Sequence, residues 1–193
     1  MDVIEAYRRS LTGFVERVAQ IRADQWEQPT PCPDWTVRGL VNHLVGEERW
    51  SVPLFAGATI AEVGDRYDGD LLGADPVAAV TEAAKAAEAA VAEPVVLDRT
   101  VHLSFGDTPA EEYLRQLLAD HLVHSWDLAA AIGTDPGLDA DLVAECASWY
   151  ADREELYRQA GAVGPRVEPA PQATRQDRLI GAFGRDPAWH PTG

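Results

Sequence analysis

The chain has 193 residues, 46% of them hydrophobic, and its 32 acidic against 16 basic side chains give a formal net charge of -16. This length suffices for one domain with a substantial core, and the negative field repels phosphate backbones, so nucleic acid is not an expected partner. No stretch approaches the ~18 apolar residues of a membrane span, and the first residues lack the pattern of a secretory signal. Two cysteines, Cys32 and Cys146, do not make a disulfide framework, so the cytoplasm is the expected location.

Helical periodicity dominates the first part of the chain. Apolar residues recur every three or four positions over residues 2–23, which predicts an amphipathic helix. Three prolines within residues 29–33 exclude a helix there. Asp34 or Thr36 is the expected cap of a second helix, which should end near Trp50 because a proline follows closely.

The middle of the chain predicts a loop, two helices and a short strand. Residues 56–75 are rich in Gly and Asp and should form the loop, and an alanine-rich helix follows over residues 76–91. Alternating residues 100–105 predict the strand. Residues 108–111 (TPAE) have the form of a capping box, so a long helix is expected from there to about Gly133.

The C-terminal part predicts one further long helix and a short one. The long helix should span residues 139–161, and a short capped helix over residues 174–183 follows a Pro- and Gly-rich stretch. The predicted class is therefore mainly all-α. We expect a four-helix bundle with a short strand or hairpin over residues 1–161, and a C-terminal tail, residues 162–193, whose short helix docks on the bundle.

Three side chains on two of these helices are candidates for a shared site. Asp120 and His124 are four residues apart, which puts a carboxylate and an imidazole one helical turn apart on a common face. His43 lies among apolar neighbours on the second helix. If the two helices pack side by side, two histidines and one carboxylate can converge on a divalent metal ion. Three protein ligands leave coordination positions open, as catalysis requires.

Spacing alone leaves alternatives open. A buried Asp–His pair that joins two helices fits the position of Asp120 slightly better than a metal site does. His121 lies nearer the centre of the apolar stripe, so it competes with Asp120 as a partner of His43 and His124. Glu47, one turn after His43, offers a further oxygen. Spacing does not decide among these sets.

Other signals of catalysis are weaker. Cys32 precedes the expected start of a helix, where the helix dipole lowers the pKa of a thiol, but the sequence identifies no partner base. The sequence contains no Gly-rich phosphate loop, no G-x-S-x-G elbow and no H-E-x-x-H motif.

Two segments carry a resemblance to a known family. Residues 30–43 (TPCPDWTVRGLVNH) and 120–129 (DHLVHSWDLA) resemble the mycothiol-dependent maleylpyruvate isomerase N-terminal domain, within the DinB-like superfamily of metal-binding four-helix bundles. Residues 184–189 (GRDPAW) are similar to the end of small actinobacterial metal-binding members. The resemblance implies a divalent metal, often zinc, held by a histidine of the second helix and by two residues one turn apart on a later helix. The matching positions are His43, Asp120 and His124.

The resemblance also implies a type of chemistry. The metal, zinc first and nickel or iron as alternatives, would activate a low-molecular-weight thiol such as mycothiol as cosubstrate, for transfer to an electrophilic substrate or for a thiol-assisted isomerisation. The family's isomerase has Glu where Asp120 stands, and a separate C-terminal domain gives its active site a basic residue. Arg178 or Arg185 is the candidate here to approach a carboxylate substrate. The alternative is a non-catalytic, metal-dependent ligand-binding or stress-response bundle, and a homodimer is compatible with either.

Overall fold

The computed structural model describes residues 1–33 and 35–191. The architecture is mainly helical with one short antiparallel hairpin, which confirms the predicted class. Within the described residues, no helix is both long and apolar enough to cross a membrane. The elements are α1 (Val3–Val18), α2 (Val37–Phe55), α3 (Ile60–Val63), α4 (Pro76–Ala90), a 3-10 turn (Pro94–Asp98), β1 (Thr100–Leu103), β2 (Gly106–Pro109), α5 (Ala110–Ile132), α6 (Ala140–Tyr150), α7 (Glu154–Gln159) and α8 (Arg175–Ala182).

Four long helices form the bundle. Helices α1 and α2 each pack against both α4 and α5. Tyr7 and Phe14 of α1 are fully buried, as its apolar stripe predicts. The helix ends at Val18, short of the predicted residue 23, because Gln25 turns the chain back: its side chain accepts a hydrogen bond from Arg22 N and donates one to Ile132 O at the end of α5.

Helix α2 carries the first candidate ligand and is longer than expected. Thr36 is its N-cap and accepts from Gly39 N, whereas Asp34, the other expected cap, lies outside the described residues. The helix continues through Pro53 to Phe55 instead of ending near Trp50. A proline this close to a helix end removes a single backbone hydrogen bond, and the buried Phe55 side chain offsets that loss.

The loop and the hairpin correct two further predictions. The expected loop over residues 56–75 contains the helical turn α3, capped by Thr59. The prediction of a capping box at residues 108–111 is wrong, because Thr108 pairs with Val101 in the hairpin. Helix α5 therefore begins after Pro109 with no side-chain cap.

The expected long helix over residues 139–161 is two helices, α6 and α7. Helix α6 ends at Tyr150, and the side chain of Arg153, just before α7, contacts α5. Its guanidinium donates two hydrogen bonds to the Glu112 carboxylate, 2.7 and 3.0 Å long. A tertiary ion pair thus interrupts a helix that local periodicity continues.

The C-terminal tail packs on the bundle through α8, which contacts α6. Thr174 and Asp177 form a capping box at its start. Phe183, just after the helix, stacks on Tyr150 with ring centroids 4.0 Å apart. At Gly181 an added Cβ would collide with the Val167 backbone oxygen, so the preceding stretch of the tail crosses directly over α8.

Candidate metal centre

His43 of α2 meets Asp120 and His124 of α5. His43 Nε2 lies 3.0 Å from Asp120 Oδ2, and His124 Nε2 lies 3.3 Å from Oδ1 of the same carboxylate. Their potential ligand atoms all fall within 4.8 Å of one another. The fold thus brings together the three residues that the sequence singled out.

The donor set and its spacing suit a divalent ion. Ligand atoms about 2.0–2.1 Å from a tetrahedral zinc ion lie about 3.3–3.4 Å from one another. The 3.0 and 3.3 Å separations here are close to that range. Two imidazoles and a carboxylate suit zinc, nickel or iron(II). The 3.0 Å contact of His43 with Asp120 is also a hydrogen bond, and His124 Nε2 makes an ion-pair contact with the same carboxylate, so Asp120 contacts both rings without an ion.

His121, the rival from the same helix, faces elsewhere. Its Nε2 lies 3.3 Å from Glu48 Oε1, and both side chains are completely buried. Its ring packs edge-on against Tyr7, with centroids 5.5 Å apart. No group of three potential ligands within residues 1–33 and 35–191 includes His121. Its alternative role as a partner of His43 and His124 therefore does not fit the fold.

Glu47, the other rival, lies beside the trio without joining it. It lines the same pocket as His43, Asp120 and His124, but it is outside the ligand groups found among the described residues. Burial, and then the charge of Asp120, raise the pKa of Glu47.

Contacts within the trio and with Asp127 shift the pKa values of Asp120 and His124 in opposite directions. Burial opposes the ionised form of Asp120, but the charge and hydrogen bonds of His124 and His43 outweigh it and hold the pKa of this carboxyl well below its usual range. Burial likewise disfavours a charged His124, but Asp120 and then Asp127 raise the pKa of this imidazole well above its usual value. A metal ion would therefore have to displace a proton from His124 Nε2.

A second group of residues lies on the other side of His124. His124 Nδ1 is 2.9 Å from Asp127 Oδ2. The Cys32 thiol donates to the same oxygen at 3.3 Å, and Arg185 Nη2 lies 3.1 Å from it and 3.0 Å from Cys32 Sγ.

Few features of the sequence predict this second group. Asp127 stands three residues after His124, so helical spacing could have found it. Cys32 and Arg185 are 153 residues apart, and no pattern connects them. Of the two arginines expected near the site, Arg185 is there but is engaged by Asp127, whereas Arg178 binds the Pro171 carbonyl from an exposed position.

The trio opens into a pocket of about 690 Å³. Trp35 covers the two imidazoles, its ring centroid 4.5 Å from that of His43 and 5.5 Å from that of His124. The bundle and the tail both contribute to the remaining wall. Among its residues are Tyr113, Trp149, Tyr157, Gly164, Phe183 and Arg185.

Comparison with known proteins identifies the family of the chain. A family model described as the mycothiol maleylpyruvate isomerase N-terminal domain matches residues 7–129, which include all three residues of the trio. The chain belongs to this family. The resemblance inferred from the two motifs is thereby confirmed.

The relatives found do not reveal an activity. Two proteins of Mycobacterium tuberculosis, from strains CDC 1551 / Oshkosh and ATCC 25618 / H37Rv, are both named as uncharacterized. Each is 36% identical over 191 residues, which cover 96% of this chain and 98% of the relative. The similarity thus extends into the C-terminal tail. No solved structure matches the chain.

Proposed function

We propose that this family member binds a divalent metal ion, zinc in preference to nickel or iron, through His43, Asp120 and His124. The ion would serve to activate a low-molecular-weight thiol such as mycothiol for transfer or isomerisation. The observation that carries the proposal is the convergence of the three donors on the wall of an open pocket. The mycothiol-linked family supports the choice of thiol.

The chain's own residues suit this task. Two neutral imidazoles and one carboxylate leave a bound divalent ion with net positive charge. Such an ion lowers the pKa of a thiol that binds it and supplies a thiolate near neutral pH. Asp120 orients both rings from opposite oxygens of one carboxylate, so the ligands are arranged in advance. Trp35 shields the two imidazoles from water on one side.

Glu47 is the best-placed acceptor for the thiol proton. It lines the pocket beside the three candidate ligands. Burial raises the pKa of Glu47 above its ordinary value, and a higher pKa makes a carboxylate a stronger proton acceptor. The exchange of this proton is therefore assigned to Glu47, whereas Asp120 stays ionised.

The first test is metal content. Protein purified without chelator is expected to carry about one divalent ion per chain, and His124→Ala is expected to carry none while keeping its helical circular dichroism. His102→Ala is the matched control, because His102 lies on the hairpin and pairs with Asp107 at the surface. A wild-type chain that neither retains nor takes up zinc, nickel or iron(II) would rule the proposal out.

The second test separates an enzyme from a binding protein. Mycothiol should bind the metal-loaded protein saturably and the metal-free protein not at all. Turnover is then followed with a panel of electrophiles and with a cis-configured unsaturated diacid. Metal-dependent thiol binding without turnover on any of them would favour the non-catalytic ligand-binding alternative.

A further inference from the structure

We infer that Asp127 is a positioning residue that orients His124 toward the metal site, and that Arg185 couples this role to the C-terminal tail. The inference rests on the metal-binding part of the proposed function. It adds two residues to the trio: Asp127, within the motif of residues 120–129, and Arg185, within residues 184–189.

The first step is the geometry of His124. Its ring lies between two carboxylates: Nδ1 is 2.9 Å from Asp127 Oδ2, and Nε2 is 3.3 Å from Asp120 Oδ1. A proton on Nδ1 donated to Asp127 leaves the Nε2 lone pair for the metal site. Carboxylates behind metal-bound histidines fix the tautomer and the ring orientation in this way.

The second step is the burial of Asp127. Its side chain has no solvent exposure, so an ionised carboxylate there needs compensating partners. Arg185 supplies them: its Nε lies 3.3 Å from both carboxylate oxygens, and its Nη2 lies 3.1 Å from Oδ2.

The third step is the position of Arg185, which the tail fixes. Helix α8 is closed by Gly184 in the left-handed conformation, with φ of 79°. Arg185 N then donates to Ile180 O at 3.1 Å, and Arg185 Nη1 donates to Phe183 O at 2.8 Å. Arg158 of α7 also donates to the Ala182 carbonyl at 3.3 Å. The guanidinium thus reaches Asp127 from a fixed backbone.

A second ion beside Cys32 is the competing explanation. Cys32, His124 and Asp127 also have donor atoms close enough to share an ion. However, the Arg185 guanidinium already lies 3.0 Å from Cys32 Sγ and 3.1 Å from Asp127 Oδ2. A permanent cation therefore occupies this space, which makes the group a support for His124 and not a metal site.

The experiment measures zinc affinity by chelator competition and the visible spectrum of the cobalt-loaded protein. Asp127→Asn should weaken zinc binding about 10–100-fold and shift the cobalt bands, as loss of an outer-shell carboxylate does. Arg185→Gln should weaken it less. Because Arg185 acts through Asp127, the double variant should match Asp127→Asn to within about 2-fold. Arg178→Gln, on α8 itself, is the control and should change neither readout.

Three results would overturn the inference. They are wild-type zinc affinity with an unchanged cobalt spectrum in Asp127→Asn, additive losses in the double variant, and an effect of Arg178→Gln as large as that of Arg185→Gln.

A measurement without metal distinguishes failure of the inference from failure of the proposed function. In metal-free, ¹⁵N-histidine-labelled protein, His124 Nδ1 should carry a proton that exchanges slowly with solvent, and Arg185→Gln should speed that exchange. A wild-type protein that binds no metal but shows this proton would refute the metal site alone. An unprotonated His124 Nδ1 would refute the positioning role with or without metal. So would a proton that exchanges equally fast in the wild type and in Arg185→Gln.

Discussion

Two carboxylate–histidine pairs join α2 to α5, and they differ in almost every other respect. Glu48 and His121 are completely buried, whereas the Asp120 side chain is 35% exposed and His43 is 27% exposed. Glu48 Oε2 and His121 Nδ1 have no hydrogen-bond partner within the part of the chain that the structure describes. Both oxygens of Asp120, by contrast, face an imidazole nitrogen.

The electrostatics of the two carboxyls run in opposite directions. Burial raises the pKa of Glu48, and the hydrogen bond and charge of His121 offset only part of that shift. The pKa of Asp120 is held well below its usual range because two imidazoles act on it. The same residue types across the same helix interface therefore give two different pairs. Glu48 and His121 form a sealed structural pair, whereas Asp120 and His43 form an open pair that suits a cation. The number of histidines and access to the pocket make the difference.

Removing His121 should cause the largest loss of stability. The His121→Ala substitution leaves the buried Glu48 carboxyl without its hydrogen-bond partner and opens a cavity in the core, which together are expected to cost about 3–5 kcal/mol in the free energy of unfolding. His43→Ala is the matched control from the open pair and should cost much less, because solvent reaches Asp120. Urea unfolding of the metal-free proteins measures both. Equal losses would contradict the distinction between the pairs.

Removing the charge of Asp120 should chiefly affect metal binding. Asp120→Asn deletes a ligand charge, so zinc affinity should fall by more than the about 10–100-fold that loss of an outer-shell partner costs. Glu47→Gln, on the same pocket wall, should leave zinc affinity nearly unchanged and lower only the rate of thiol transfer. Chelator competition decides between the two residues. A larger affinity loss in Glu47→Gln would show that Glu47 is the ligand.

A substitution in the tail should lower zinc affinity at the trio and leave the Glu48–His121 pair unchanged. Gly181→Ala drives a methyl group into the Val167 backbone oxygen, and such overpacking costs about 1–3 kcal/mol. Displacement of α8 would withdraw Arg185 from Asp127 and lower zinc affinity. Gly46→Ala on α2 is the control, because its Cβ would meet only Leu71 Cδ1, at 3.6 Å. Unchanged zinc affinity in Gly181→Ala would show that the position of the tail does not affect metal binding.

These differences mark what the sequence can and cannot predict. Periodicity located the four bundle helices, and i,i+4 spacing with the motif resemblance selected the trio that the fold brings together. It missed the break after Tyr150, which depends on an ion pair with α5. It also missed the support behind His124, because Cys32 and Arg185 meet only after the tail has docked. The local sequence pattern identifies the candidate metal ligands, whereas contacts between distant segments determine which side chains hold those ligands in position.

The smallest expected effect is that of Glu48→Gln, and its sign depends on pH. Near pH 4 the amide replaces a protonated carboxyl, so the free energy of unfolding should change by less than about 1.5 kcal/mol. Because the folded-state pKa of Glu48 is raised, its protonation stabilises the fold at low pH, and that contribution is lost as the pH rises from about 4.3 through the folded-state pKa. Glu48→Gln does not titrate, so it should gain stability relative to the wild type over that range. Urea titrations of both metal-free proteins at several pH values measure this difference. A difference that does not vary with pH would show that folding leaves the pKa of Glu48 unchanged, and a relative gain of stability by the wild type as the pH rises would show that the sealed pair is an ion pair like the open one.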